Sequence, residues 1–157
     1  MPKFETRRRV PHTARQMYDL VADVERYPQF LPLCEALRVT SRTPDGAGQT
    51  LVTVMEVGYG AIREKFTSRV TLEPAVLRIA SFCVDGPFRR MDNRWAFVEG
   101  PEGAGTSDVV FFIDYEFKSM ILHMLMGTMF DAAFRKFTDA FERRAAAVYG
   151  SSASGKV

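Results

Sequence analysis

Residues 119–149 read SMILHMLMGTMFDAAFRKFTDAFERRAAAVY, and this run decides the fold. Placed on a wheel at about 100° per residue, it forms one long helix with an uneven apolar surface. From Met120 to Phe130 the side chains of Met120, Ile121, Leu122, Met124, Leu125, Met126, Met129 and Phe130 cover most of the circumference. From Ala133 onward the stripe narrows to Ala133, Phe134, Phe137, Phe141 and Val148, opposite Asp131, Arg135, Asp139, Glu142 and Arg143. A surface helix needs only one apolar face. The first half is therefore expected to be covered on nearly all sides, as lid and wall of an apolar cavity, with the second half anchoring it. Methionine adapts to irregular surfaces, ligands included. The plainer reading, ordinary core packing, is compatible, since a lid helix is also core.

Upstream of this helix the period drops from 3.6 to 2. Ile62, Glu64, Phe66, Ser68, Val70 and Leu72 alternate with Arg63, Lys65, Thr67, Arg69 and Thr71, the signature of a half-buried strand. Leu51, Thr53, Met55 and Val57 alternate before it; Leu77, Ile79, Ser81 and Cys83 follow. Phe88–Val98, with Trp95 and Phe97 on one face, and Val109, Phe111, Ile113, Tyr115 and Phe117 supply two more strands, and Leu37-Val39-Ser41 opens the first of the series. Turns are marked at 44–48, 58–60, 73–74, 85–87 and 100–105 by Gly, Pro and Asp. Strands joined by such short turns are antiparallel neighbours.

Before them, residues 3–10 read as a poorly apolar edge strand. Thr13 is a plausible N-cap for a helix with Met17, Leu20, Val21 and Val24 on its apolar face. Pro28 and Pro32 confine Gln29-Phe30-Leu31 to a short turn. The order predicts an α+β fold: one strand, two short helices, about six further antiparallel strands, then the long helix as the only long cover for a curled sheet.

The composition bounds function. At 157 residues, 46% of them apolar and 25% charged, the chain has the make-up of one globular domain, expected over 1–149 with a disordered tail at 150–157. A net charge of +2 excludes a protein that coats nucleic acid, and no DNA partner is expected. Cys34 and Cys83 have neither metal nor redox spacing, and with no leader pattern the reading is a cytoplasmic protein, or one peripheral at the inner face of the plasma membrane. No apolar run is long enough to span a bilayer. No dinucleotide, P-loop or nucleophile-elbow motif occurs, and His12 and His123 are the only imidazoles, so no enzyme activity and no metal are expected.

Several segments carry a family resemblance: residues 21–34 (VADVERYPQFLPLC), 66–70 (FTSRV), 85–88 (DGPF), 93–97 (NRWAF), 115–118 (YEFK) and 140–145 (AFERRA). Together they resemble the START-like, or helix-grip, superfamily over roughly residues 3–149. The nearest branch holds the coenzyme Q-binding START-domain proteins and the bacterial ribosome association toxin. Where that branch often has Trp before the cysteine of the first segment, this chain has Leu33. The resemblance implies a curved sheet of about six to seven strands gripping the long helix. It also implies a cavity for an isoprenoid lipid, ubiquinone foremost, that supports respiratory electron transport without any resident cofactor. The alternative it implies is a toxin of a toxin–antitoxin pair that binds the large ribosomal subunit and blocks 70S association.

The expected cavity wall is Phe66, Trp95, Phe117, Leu122, Met126, Met129 and Phe130. Phe30 and Leu31 are either a gate that touches ligand or bilayer, or a plug at one end of the core. Glu64, on an inward position, either contacts the ligand or pairs with an arginine such as Arg69 or Arg94. Arg7, Arg8 and Arg9, and Arg89 and Arg90, form the basic clusters, read as solvated strand residues or as contacts for lipid headgroups or ribosomal RNA. Transient contact with a membrane surface follows from the delivery role.

Overall fold

The computed structural model describes residues 3–150; the rest of the expected tail lies outside them. Strand β1 (Lys3–Val10) leads into helix α1 (Ala14–Ala22) and a 3-10 helix (Val24–Gln29). Six strands follow: β2 (Cys34–Asp45), β3 (Gly48–Tyr59), β4 (Ile62–Glu73), β5 (Arg78–Asp85), β6 (Phe88–Glu99) and β7 (Ser107–Phe117). Helix α2 (Met120–Tyr149) closes the chain. The seven strands form one sheet in the order β1-β7-β6-β5-β4-β3-β2, antiparallel throughout. The α+β helix-grip expectation holds, and β1 is an edge strand as its sequence predicts.

Local chemistry explains the elements. Thr13 caps α1 through a capping box: its Oγ1 accepts from the Gln16 amide at 3.1 Å, and Gln16 Oε1 accepts from the Thr13 amide at 2.9 Å. Ser119 caps α2 by accepting from the Leu122 amide at 3.2 Å. The alternation in β7 is complete, every second side chain being buried. Register shifts in β2, between β4 and β5, and between β6 and β7 bend the sheet around the helix. Gly86 makes the β5–β6 turn with φ +143°, and a Cβ there would stand 2.4 Å from Phe66 Cβ, so the turn sits directly on the wall formed by β4.

Helix α2 packs over β7 and β1 and against α1. Phe134 meets Tyr115 with ring centroids 5.0 Å apart, and Phe141 meets Trp95 at 5.1 Å. Arg8, on β1, donates to Asp139 and to Glu142 at 3.0 Å, which clamps the edge strand onto the helix.

The expectation for the first half of α2 is overturned. Met120, Ile121, Met124 and Leu125 are 63–76% exposed, while Met126 and Phe130 are buried. The helix meets its neighbours on one side only, so its wide apolar circumference is a buried face plus an exposed apolar patch. Among the described residues no helix is long and apolar enough to cross a membrane.

Candidate functional site

Between α2 and the concave face of β2–β6 lies a cavity of about 80 Å³. Its roof is the middle and second half of α2: Phe130, Ala133, Phe134, Phe137 and Phe141. Its floor is the inward row of each strand, including Met55, Phe66, Val70, Ile79, Met91 and Trp95. Its rim is Tyr27, Leu31, Pro32 and Leu33. The lining contains no Asp, Glu, Lys, Arg or His. Such a space favours an uncharged, largely apolar guest, since an unpaired ion there would lose its hydration without compensation.

Four polar side chains interrupt the apolar floor, one on each of four adjacent strands: Thr53, Ser68, Ser81 and Asn93. The indole N–H of Trp95 donates to Asn93 Oδ1 at 3.2 Å, and Asn93 Nδ2 donates to the Phe112 carbonyl at 2.9 Å. Since the indole can only donate, it fixes which way the amide points. Sequence reading missed this row, although each member is a visible polar break in an inward alternation.

The sequence-derived wall divides. Phe66, Trp95 and Phe130 face the cavity, as does Leu31 from the expected gate. Phe117, Leu122, Met126 and Met129 do not, because they belong to the end of the core beyond it. There Phe117 stacks on Phe88 at 5.1 Å and lies 5.7 Å from Phe130. The division of labour along α2 is thus the reverse of the expected one: Phe137 and Phe141 in the second half roof the cavity, and the first two turns do not.

Phe30 is no free gate. Its ring packs 5.1 Å from Phe141, under the Arg144 guanidinium, which itself donates to Gln29 Oε1 at 2.6 Å. Leu31 alone of the pair enters the cavity. Next to it Leu33 adopts φ +69°, a left-handed conformation that costs a branched residue about 1–2 kcal/mol. Strain of this kind at a cavity rim marks a segment held in place by its surroundings.

Glu64 is half-buried, lies outside the cavity lining, and pairs with neither Arg69 nor Arg94; Arg94 donates to Asp92 at 2.8 Å instead. Glu64 stands opposite the cavity-lining Val57 near the start of β4, one inward step before Phe66, the first β4 side chain to reach the cavity. The basic clusters are neutralised. Arg7 and Arg9 both pair with Asp108, which holds that carboxyl below the usual carboxylate range. Arg89 pairs with Glu116, and Arg90 with Asp114 and Glu116. Each of these cations has a carboxylate partner, while Arg7, Arg9 and Arg89 stay more than half exposed.

Nucleophilic groups are muted. Cys34 is buried and its thiol is pushed up to about 12 by desolvation, so the thiolate is scarce at neutral pH. Burial likewise raises the Tyr27 phenol, whose hydroxyl donates to the Val21 carbonyl. Among the described residues no group of three or more His, Cys, Asp and Glu could hold a metal ion.

Comparison with known proteins places this architecture. The chain is 32% identical over 148 residues to the "Ribosome association toxin RatA" of Rickettsia prowazekii, covering 92% of this chain and 97% of that protein. It is 33% identical over 137 residues to the "Coenzyme Q-binding protein COQ10 homolog B, mitochondrial" of Xenopus laevis, covering 86% of this chain but only 54% of that one. The solution structure of an 18 kDa protein from Caulobacter crescentus superposes with a TM-score of 0.76 at 34% identity, covering 96% of this chain and all of that one. A family profile described as polyketide cyclase / dehydrase and lipid transport matches residues 10–142. With that match spanning most of the sheet, the cavity and α2, the chain belongs to the polyketide cyclase / dehydrase and lipid transport family, of START-like fold.

Proposed function

We propose that the protein is a non-enzymatic carrier of a neutral isoprenoid lipid, ubiquinone foremost, held in the cavity under α2 and handed to membrane respiratory enzymes. The observation that carries this reading is a cavity lined mainly by apolar and aromatic residues and free of charged side chains. Burial of the guest's apolar surface supplies the affinity, at about 25 cal/mol per Å². At about 80 Å³ the space is roughly half the 150 Å³ of an engineered cavity that accepts benzene, so a tailed quinone needs the cavity to widen on binding. Handing over the guest requires contact with a bilayer. Met120, Ile121, Met124 and Leu125 offer an exposed apolar face for it, next to exposed Lys118. Purification from the host under native conditions, followed by solvent extraction and mass spectrometry, tests the reading. Co-purifying quinone supports it, and a preparation free of any isoprenoid sinks it.

A second reading, association with the large ribosomal subunit, is favoured by the near full-length match to the Rickettsia toxin and by one surface feature. On the outer face of the sheet Phe82 is 37% exposed and lies opposite Arg69, with the Arg94 guanidinium 5.5 Å from its ring. Arg69 and nearby exposed Lys65 have no ion-pair partner among the described residues. An exposed aromatic beside free cations suits single-stranded RNA. An unchanged 70S peak in sucrose gradients after overexpression would remove this reading.

A further inference from the structure

The polar row on the cavity floor has no structural task that explains all its members. Thr53 and Ser68 are 3% and 4% exposed, and neither hydroxyl has a hydrogen-bond partner among the described residues. The two stand directly opposite each other on β3 and β4. Ser81 is one diagonal step away, opposite Val70, and directly opposite Asn93 on the next strand. With neighbouring strands about 4.8 Å apart, the row crosses the floor over about 14 Å. Buried hydroxyls left unpaired destabilise a fold, and Val or Ala would be the favourable residues at these positions. Two unpaired hydroxyls in register, aimed into one apolar cavity, are the mark of a site completed by a guest.

We propose that Thr53, Ser68, Ser81 and Asn93 form the polar end of the ligand site. They take the carbonyl or hydroxyl oxygens of an uncharged ring while the rest of the molecule lies against Phe66, Trp95 and the α2 phenylalanines. This rests on the lipid-carrier reading and deepens it by fixing the ligand's orientation and its class. Hydroxyls both donate and accept, so the row serves a ketone or quinone and its reduced, hydroxylated form alike. The absence of any cation in the lining rejects carboxylates and phosphates. Fatty acids and phospholipids are therefore excluded as guests, although their tails would suit the walls. Asn93 also supports Trp95 and β7, so it is a poor target for mutation. Thr53 and Ser68 are the informative pair.

The test uses ubiquinone-1, decylbenzene and oleate as probes on the full chain, with binding measured by calorimetry. Quenching of Trp95, the one tryptophan, gives a second readout for the quinone. The double variant Thr53→Val, Ser68→Ala is expected to melt at the same temperature or higher. It should bind ubiquinone-1 about ten-fold more weakly, the loss of two hydrogen bonds, while holding decylbenzene as tightly as before. Oleate should bind neither form. Equal losses for the quinone and the hydrocarbon, or no loss for the quinone, overturn the polar-end assignment and leave the carrier reading standing. Oleate binding as tight as the quinone overturns the neutral-ligand rule. If the unaltered protein binds neither the quinone nor decylbenzene, the carrier reading falls and this inference with it.

Discussion

Ala133 is the position at which the cavity can be filled with least disturbance. It is 5% exposed, sits in the middle of α2, and points from the roof into the void. Replacing it with leucine adds three carbons at about 0.8 kcal/mol each, a gross gain of about 2.4 kcal/mol. The void offers a consistent figure: about 80 Å³ of empty apolar space costs about 2 kcal/mol at roughly 24 cal/mol per Å³. Against this stand the rotamer entropy of a buried leucine, about 0.5–1 kcal/mol, and a small loss of helix propensity. The expected net gain is roughly 1–2 kcal/mol, or a rise in Tm of about 2–8 °C for a chain of this size. Ala133→Leu should abolish quenching of Trp95 by ubiquinone-1, because the added side chain occupies the ligand's place. Thermal melts and a quinone titration on the same samples decide the matter. A variant destabilised by more than about 1 kcal/mol would show that no fillable space faces Ala133. One that is stabilised yet still binds quinone would place the ligand elsewhere.

Three further outcomes follow from the same geometry. Burial lowers the His12 imidazole below its ordinary 6.5, against the weaker opposing pull of Glu142. Between the folded and the ordinary value the unfolded chain binds the extra proton, so stability should fall as pH drops through about 6.5; His12→Gln should remove that slope from urea midpoints measured between about pH 5 and pH 7.5. Gly86→Ala, which forces a Cβ to 2.4 Å from Phe66 at φ +143°, should cost at least about 2 kcal/mol in denaturant unfolding with an unchanged m value; a neutral result would refute the close approach of that turn to β4. Met124→Glu with Leu125→Glu should leave stability within about 0.5 kcal/mol, since both side chains are more than 60% exposed, while reducing flotation with anionic vesicles; unchanged flotation would remove this patch as the bilayer contact.

Period, turn chemistry and capping were legible residue by residue. Thr13 with Gln16, the turn at Gly46, and the complete alternation from Ser107 to Phe117 are local events, set by neighbours within a few positions, so one chain suffices to read them. The family segments added the helix-grip arrangement, and the inward positions of Phe66 and Trp95 followed from period 2. What local pattern left undetermined was which side of an apolar surface meets another element. Met120, Ile121, Met124 and Leu125 look identical in sequence to buried core, and only the seating of α2 over β7 and β1 leaves them in solvent. Glu64 shares an inward alternation with Ser68, yet on β4 the cavity lining begins only at Phe66. Arg7, Arg8 and Arg9 read as free charge until the fold brings Asp108, Asp139 and Glu142 against them from about a hundred or more residues away in the chain. The polar row was written in the sequence as four separate interruptions, at Thr53, Ser68, Ser81 and Asn93. Strand register alone aligned them across one floor, because cross-strand neighbours are chosen by hydrogen-bond pairing over the whole sheet and not by spacing along the chain.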